Sequence, residues 1–124
     1  MLRDKPVILC VDDEQIPLSL RKCVLEKLGY SVLTANSGTE ALEQLQRQHV
    51  DLVLTDMLMP GLSGAELARE IKQRMPQLPI ILFSGVNEIP EDANYADVFL
   101  SKVEGPARMS ATISEVLSQA RKLA

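Results

Sequence analysis

Tryptophan is absent from this sequence, and two Tyr and two Phe are the whole of its Phe, Tyr and Trp content in 124 residues. Any core must therefore be assembled from Leu, Ile, Val, Ala and Met. Basic charge is short as well: 13 Lys and Arg stand against 17 Asp and Glu, a formal net charge of −4. A nucleic-acid partner would call for a basic excess or stripe, so none is expected. Long apolar runs are missing too, and stretches such as 7–11 and 80–83 fall far short of the roughly 20 residues that cross a bilayer. The opening Met-Leu-Arg-Asp-Lys-Pro is charged where a secretory signal would be apolar. No membrane partner is expected, and the chain reads as cytoplasmic. Cysteine is limited to Cys10 and Cys23, inside apolar segments and without CxxC or other metal-ligand spacing, which predicts two buried, reduced thiols. No glycine-rich phosphate loop of the GxGxxG or GxxxxGKS/T kind occurs, which weighs against nucleotide binding.

What is present is a regular alternation. Hydrophobic residues make up 46% of the chain, enough to pack one domain of this length, and no repeat or internal linker divides it. Short apolar runs at 7–11, 31–35, 51–55, 80–83 and 97–100 read as strands buried on both faces. Helical stretches lie between them. Residues 17–28 carry Leu18, Val24, Leu25 and Leu28, with Gly29 placed as a C-terminal cap. Ser37-Gly38-Thr39-Glu40 and Ser63-Gly64-Ala65-Glu66 have the capping-box pattern. The first opens a helix that buries Ala41, Leu42 and Leu45; the second opens one that must end before Pro76. A last helix starts near Pro106 and sets Met109, Ile113, Val116, Leu117 and Ala120 on one face. Strand and helix alternating five times imply right-handed crossovers and a doubly wound, mostly parallel α/β sheet.

Functional sites in that architecture gather at the carboxyl ends of the strands. The first run ends in Asp12-Asp13-Glu14, the third in Asp56, the fourth in Ser84 and the fifth in Ser101-Lys102. Singly, each has a plain structural reading: an acidic pair can cap a helix, Asp56 can cap a turn, and Lys102 can be a solvated charge. Together they put carboxylates, a hydroxyl and an ammonium on one sheet edge. Crowded carboxylates hold protons unless a cation sits among them. A hard dication with oxygen ligands, Mg²⁺ above all, suits that set, and cations around one carboxylate are what phosphoryl transfer requires.

In V-D-D-E at 11–14, L-T-D-M-L-M-P-G-L-S-G at 54–64, F-S-G at 83–85 and F-L-S-K at 99–102, the chain resembles the receiver domain of two-component response regulators, the CheY-like family. The resemblance spans essentially the whole chain. It implies a (βα)5 flavodoxin-like fold with strand order 2-1-3-4-5, and a single receiver domain over 1–124 with no output domain. It further implies that Asp56 is a phosphoacceptor served by a sensor histidine kinase or histidine phosphotransfer protein. Asp13 would ligate Mg²⁺ (or Mn²⁺) directly, Asp12 through water or a hydrogen bond, and Leu58 through its backbone carbonyl, with Asp56 itself in the set. Lys102 would pair with phosphoryl oxygens, Ser84 would turn its hydroxyl onto them, and Phe99 would follow as a switch between outward and inward rotamers. The chain would be no enzyme beyond its own phosphorylation and dephosphorylation, and would signal by contact with a downstream protein target.

Three features depart from the family pattern. Val103, not Pro, follows Lys102; the interval from Ser84 to Lys102 is short, which predicts a short or irregular fourth helix over 86–97; and the chain stops near Ala124. A constitutive interaction module that keeps the fold and has lost switching is therefore the alternative function. A phosphohydrolase using Asp56 is disfavoured, because Leu58 stands where a second acid would protonate a leaving group. His49 and the cations Arg47, Arg69, Lys72 and Arg74 read as solvated, and Met57 and Met59 as turn packing.

Overall fold

Strands that are apolar at every position need cover on both faces, and helices supply it. The computed structural model describes residues 5–85, 96–102 and 104–123, and its elements run β1 (Val7–Val11), α1 (Gln15–Lys27), β2 (Ser31–Ala35), α2 (Gly38–Arg47), β3 (Leu52–Asp56), α3 (Gly64–Arg74), β4 (Ile80–Ser84), β5 (Val98–Ser101) and α4 (Pro106–Leu123). The strands form one parallel sheet in the order β2-β1-β3-β4-β5, the doubly wound order expected. Of the segment expected to hold a short or irregular fourth helix, residues 86–95 lie outside the described residues.

Strand alternation divides the core. Ile8, Cys10, Leu52, Leu54, Ile81 and Phe83 face α1 and α4, meeting Leu18, Leu25, Met109 and Ile113. Leu9, Val11, Val53 and Ile80 face α2 and α3, meeting Ala41, Leu45, Leu67 and Ile71. Cys10 lies within the first layer, and burial pushes its thiol up to about 12, so it stays protonated. Cys23 corrects the expectation of two buried thiols: it is exposed, on the opposite side of α1 from the buried Leu18, Arg21 and Leu25.

Element ends follow local chemistry. Helix α1 begins at Gln15, two residues before Pro17, because a proline in the first turn lacks only an N–H that would have no intrahelical partner. It ends in a Schellman arrangement: the Tyr30 N–H donates to the Leu25 carbonyl and the Gly29 N–H to that of Glu26, with Gly29 at φ +102°. Ser63 and Glu66 close a full capping box. At α2 the Ser37 hydroxyl accepts from the Glu40 N–H, but the Glu40 carboxylate accepts from the Asn36 N–H, so the return bond is displaced by one residue from the box expected.

Strands β3 and β5 each start one residue later than the apolar runs suggest, because the acid before each is used at the amino edge of the sheet. Asp51 Oδ2 accepts the Val7 N–H at 2.8 Å while its own N–H donates to the Val7 carbonyl. Asp97 does the same with Ile80, its Oδ2 accepting at 2.8 Å. Lys72, expected to be solvated, instead closes over this edge: its Nζ lies 2.9 Å from Asp97 Oδ2 and donates to the Leu78 carbonyl. His49 is exposed as expected and pairs with Asp51 Oδ1.

Leu9, Val53 and Leu82 are wholly buried, as the strand pattern predicted. We expect Leu9→Ala to cost about 2–5 kcal/mol in urea unfolding, and a loss below about 1 kcal/mol would contradict this two-layer core.

Candidate functional site

A parallel sheet in close register brings the carboxyl ends of its strands to one edge. Val11 lies opposite Ala35 and Thr55, Asp56 opposite Phe83, and Ser84 opposite Ser101. Asp12 therefore follows β1, Asp56 ends β3, Ser84 ends β4 and Lys102 follows β5, all on that edge. Carboxylate oxygens of Asp12, Asp13 and Asp56 lie within 4.8 Å of one another.

These acids have different surroundings. Asp12 is fully buried; its Oδ1 accepts the Glu14 N–H at 2.9 Å, and its Oδ2 lies 3.3 Å from an Arg21 guanidinium nitrogen. Asp13 is exposed. Asp56 is buried, with Oδ1 2.7 Å from Lys102 Nζ. Burial raises the Asp56 pKa above its ordinary value even though the Lys102 hydrogen bond and charge pull it down, and the nearby Asp12 adds to the rise. Lys102 reaches Asp56 without a following proline: its N–H extends the β4–β5 ladder by donating to the Ser84 carbonyl at 2.7 Å, and the Glu104 N–H then turns back to the Ser101 carbonyl.

The backbone beneath Asp56 is held tightly. The Thr55 hydroxyl donates to the Asp56 carbonyl, the Met57 N–H to that of Phe83, and the Gly64 N–H to that of Met57. Gly64 opens α3 so close to this turn that a Cβ there would stand 2.2 Å from the Asp56 carbonyl oxygen. Met57 and Met59 are buried as turn packing, whereas the Leu58 side chain is 67% exposed. Ser84 is buried at its strand end, and Phe99 is half-buried against Met57, Ala65, Leu82 and Ala96.

One residue of the site escaped the sequence reading. Arg21 is buried, pairs with Asp12 and lies over the Phe83 ring, 4.6 Å from its centroid. The signal was present: Leu18, Arg21 and Leu25 follow helical spacing, so a cation occupies a core-facing position. The close approach at Gly64 had no sequence signal beyond its place in a cap.

As a donor set, three adjacent carboxylates, two of them buried, fit a hard divalent cation such as Mg²⁺, which would relieve the charge that burial penalises. The chain matches the family described as the response regulator receiver domain over residues 8–114. It belongs to that family. The transcriptional regulator PhoP of Bacillus subtilis, which governs alkaline phosphatase synthesis, is 31% identical over 114 residues, covering 89% of this chain and 48% of PhoP. A receiver domain from Clostridium thermocellum superposes with a TM-score of 0.89 at 34% identity, covering 96% of this chain and 99% of that one. The response regulator TrrA of Thermotoga maritima, solved with Mg²⁺ and beryllofluoride, does so with a TM-score of 0.85 at 32% identity, covering 90% and 98%. This receiver domain spans between 9% and 55% of the length of several curated relatives, among them sensor kinases and transcriptional regulators. Among the described residues no helix is long and apolar enough to cross a membrane.

Two outcomes follow from this geometry. A carboxyl whose pKa is raised by folding binds its proton more tightly when folded, so its ionised form subtracts from stability at neutral pH and stops doing so once acid protonates it. Asp56→Asn is therefore expected to raise the urea midpoint at pH 7 in metal-free buffer, with the gain shrinking as pH falls through the raised Asp56 value. An unchanged gain at acid pH would contradict the assignment. Gly64→Ala is expected to cost about 1–3 kcal/mol in the same assay and to shift the Asp56 amide resonance, since the intruding methyl meets backbone.

Proposed function

We propose that Asp56 accepts a phosphoryl group from the phosphohistidine of a sensor histidine kinase or histidine phosphotransfer protein, and that the domain signals by contact with a downstream protein. The observation that carries this reading is the Lys102 Nζ at 2.7 Å from Asp56 Oδ1 inside a cluster of three carboxylates. An Asp56 oxygen attacks phosphorus, the O–P bond forms as the N–P bond breaks, and its electron pair stays on the donor histidine, which departs as neutral imidazole because its other ring nitrogen already carries the proton. Lys102 neutralises charge on the phosphoryl oxygens as it does on the carboxylate. A bound Mg²⁺ would supply further neutralisation, held by Asp13 and Asp56 with Asp12 and the Leu58 carbonyl.

Ser84 stands at the neighbouring strand end, where its hydroxyl donates to the new phosphoryl group, and Phe99, half-buried beside Leu82, reports the change by altering its rotamer. The chain's own chemistry in this reading is confined to gaining and losing that group, in the cytoplasm. A protein donor is supported by apolar side chains left exposed around the edge: Ile16 and Leu20 on α1, 74% and 63% exposed, and Leu58 after β3. Leu20 lines a cleft of about 320 Å³ together with Lys102, Arg21 and Pro106.

The test is an NMR titration with Mg²⁺ and beryllofluoride, a stand-in for the aspartyl-phosphoryl group. Saturable, Mg²⁺-dependent amide shifts are expected at Asp56, Ser84, Lys102 and Phe99 and none in Asp56→Asn. Shifts that persist in that variant would sink the assignment, and shifts that never reach Phe99 would sink the switch.

A further inference from the structure

Three carboxylates crowd one edge, yet each of the two buried ones has a resident cation: Lys102 on Asp56 and Arg21 on Asp12. Set against three negative charges, those two cations leave the cluster with a single net negative charge before any metal arrives. The two cations are held differently. The Lys102 side chain is 32% exposed, whereas that of Arg21 is 8% exposed, stacked over Phe83 on the buried stripe of α1. Its contact with Asp12 Oδ2 is 3.3 Å, longer than the roughly 2.7–2.9 Å of a tight charge-assisted bond. The guanidinium thus sits by the carboxylate as a fixed charge rather than as a clamp that saturates it. The other oxygen, Oδ1, is engaged by the Glu14 N–H.

We propose that Arg21 is a built-in counter-ion that opposes divalent-cation binding at the Asp12–Asp13–Asp56 cluster, setting its Mg²⁺ affinity low. The inference rests on reading that cluster as the metal site of the phosphoacceptor. A guanidinium and a dication sharing one carboxylate repel each other through a partly buried, low-dielectric region where screening is weak. Arg21 is a positioning residue in this scheme, acting on the metal through Asp12.

The experiment is calorimetric titration of the full chain, freed of metal by chelation, with Mg²⁺ alone. Arg21→Met and Arg21→Gln remove the charge while filling the space, and Arg21→Lys keeps the charge and loses the stack. The neutral variants are expected to bind Mg²⁺ at least about tenfold more tightly than the parent, and Arg21→Lys to stay within about threefold of it. A merely structural arginine would lower thermal stability in all three and leave the affinities alike. Neutral variants that bind no more tightly than a parent that does bind overturn the role of Arg21 and leave the phosphoacceptor reading intact. Absence of binding in parent and variants alike overturns both. A neutral variant that unfolds without metal is followed by circular dichroism: folding on addition of Mg²⁺ supports the proposal, and failure to fold at saturating Mg²⁺ overturns it.

Discussion

Burying two carboxylates beside each other at the end of a parallel sheet is the constraint around which this domain is built. Asp12 and Asp56 are almost wholly removed from water, with Asp13 in reach of both. An isolated buried carboxylate would neutralise itself by taking up a proton. Burial raises the Asp56 pKa, leaning the site that way even with Lys102 attached. The charge is offset by Arg21 of α1, by the N–H of the α1 N-cap Glu14 and by Lys102 just after β5, while α3 pins the Asp56 turn through Gly64.

The opposite edge of the same sheet shows what a carboxylate does when its task is purely structural. Asp51 and Asp97 each accept a neighbouring strand's first N–H and return their own N–H to the same residue, closing identical rings that start the β1–β3 and β4–β5 pairings. Their negative charge is shared with backbone donors, His49 and Lys72. At the carboxyl edge Asp56 is held by the partly exposed Lys102 ammonium.

Much of this was legible in the sequence. Runs buried on both faces gave the strands, and the rule that sites gather at carboxyl strand ends picked out Asp12, Asp13, Asp56, Ser84 and Lys102 before any geometry was known. Strand order came through the family resemblance, because periodicity does not say which strands are neighbours. What escaped depended on three-dimensional context. Cys23 looked buried because it lies among apolar residues in the chain, although its helical phase turns it outward. Lys72 looked solvated because its partner Asp97 is distant in sequence. The one-residue shifts at β3 and β5 arise from side chains standing in for backbone at the ladder's start. Arg21 could have been found by treating a charged residue at a core-facing helical position as a demand for a buried partner.

The difference between the two cations carries the functional consequence. The proposed switch needs one partner that can transfer from a carboxylate to a phosphoryl group and another that stays put to keep the site assembled. Lys102 has the flexible stem and partial exposure for the first task. Arg21, buried between Asp12 and the Phe83 ring, has the enclosure for the second. Phe83 also lies directly across from Asp56 in the β3–β4 pairing. The guanidinium is thus anchored on the strand neighbouring Asp56, and in the proposed reading a shift of either strand end on phosphorylation would be felt by Arg21 as well as by Lys102.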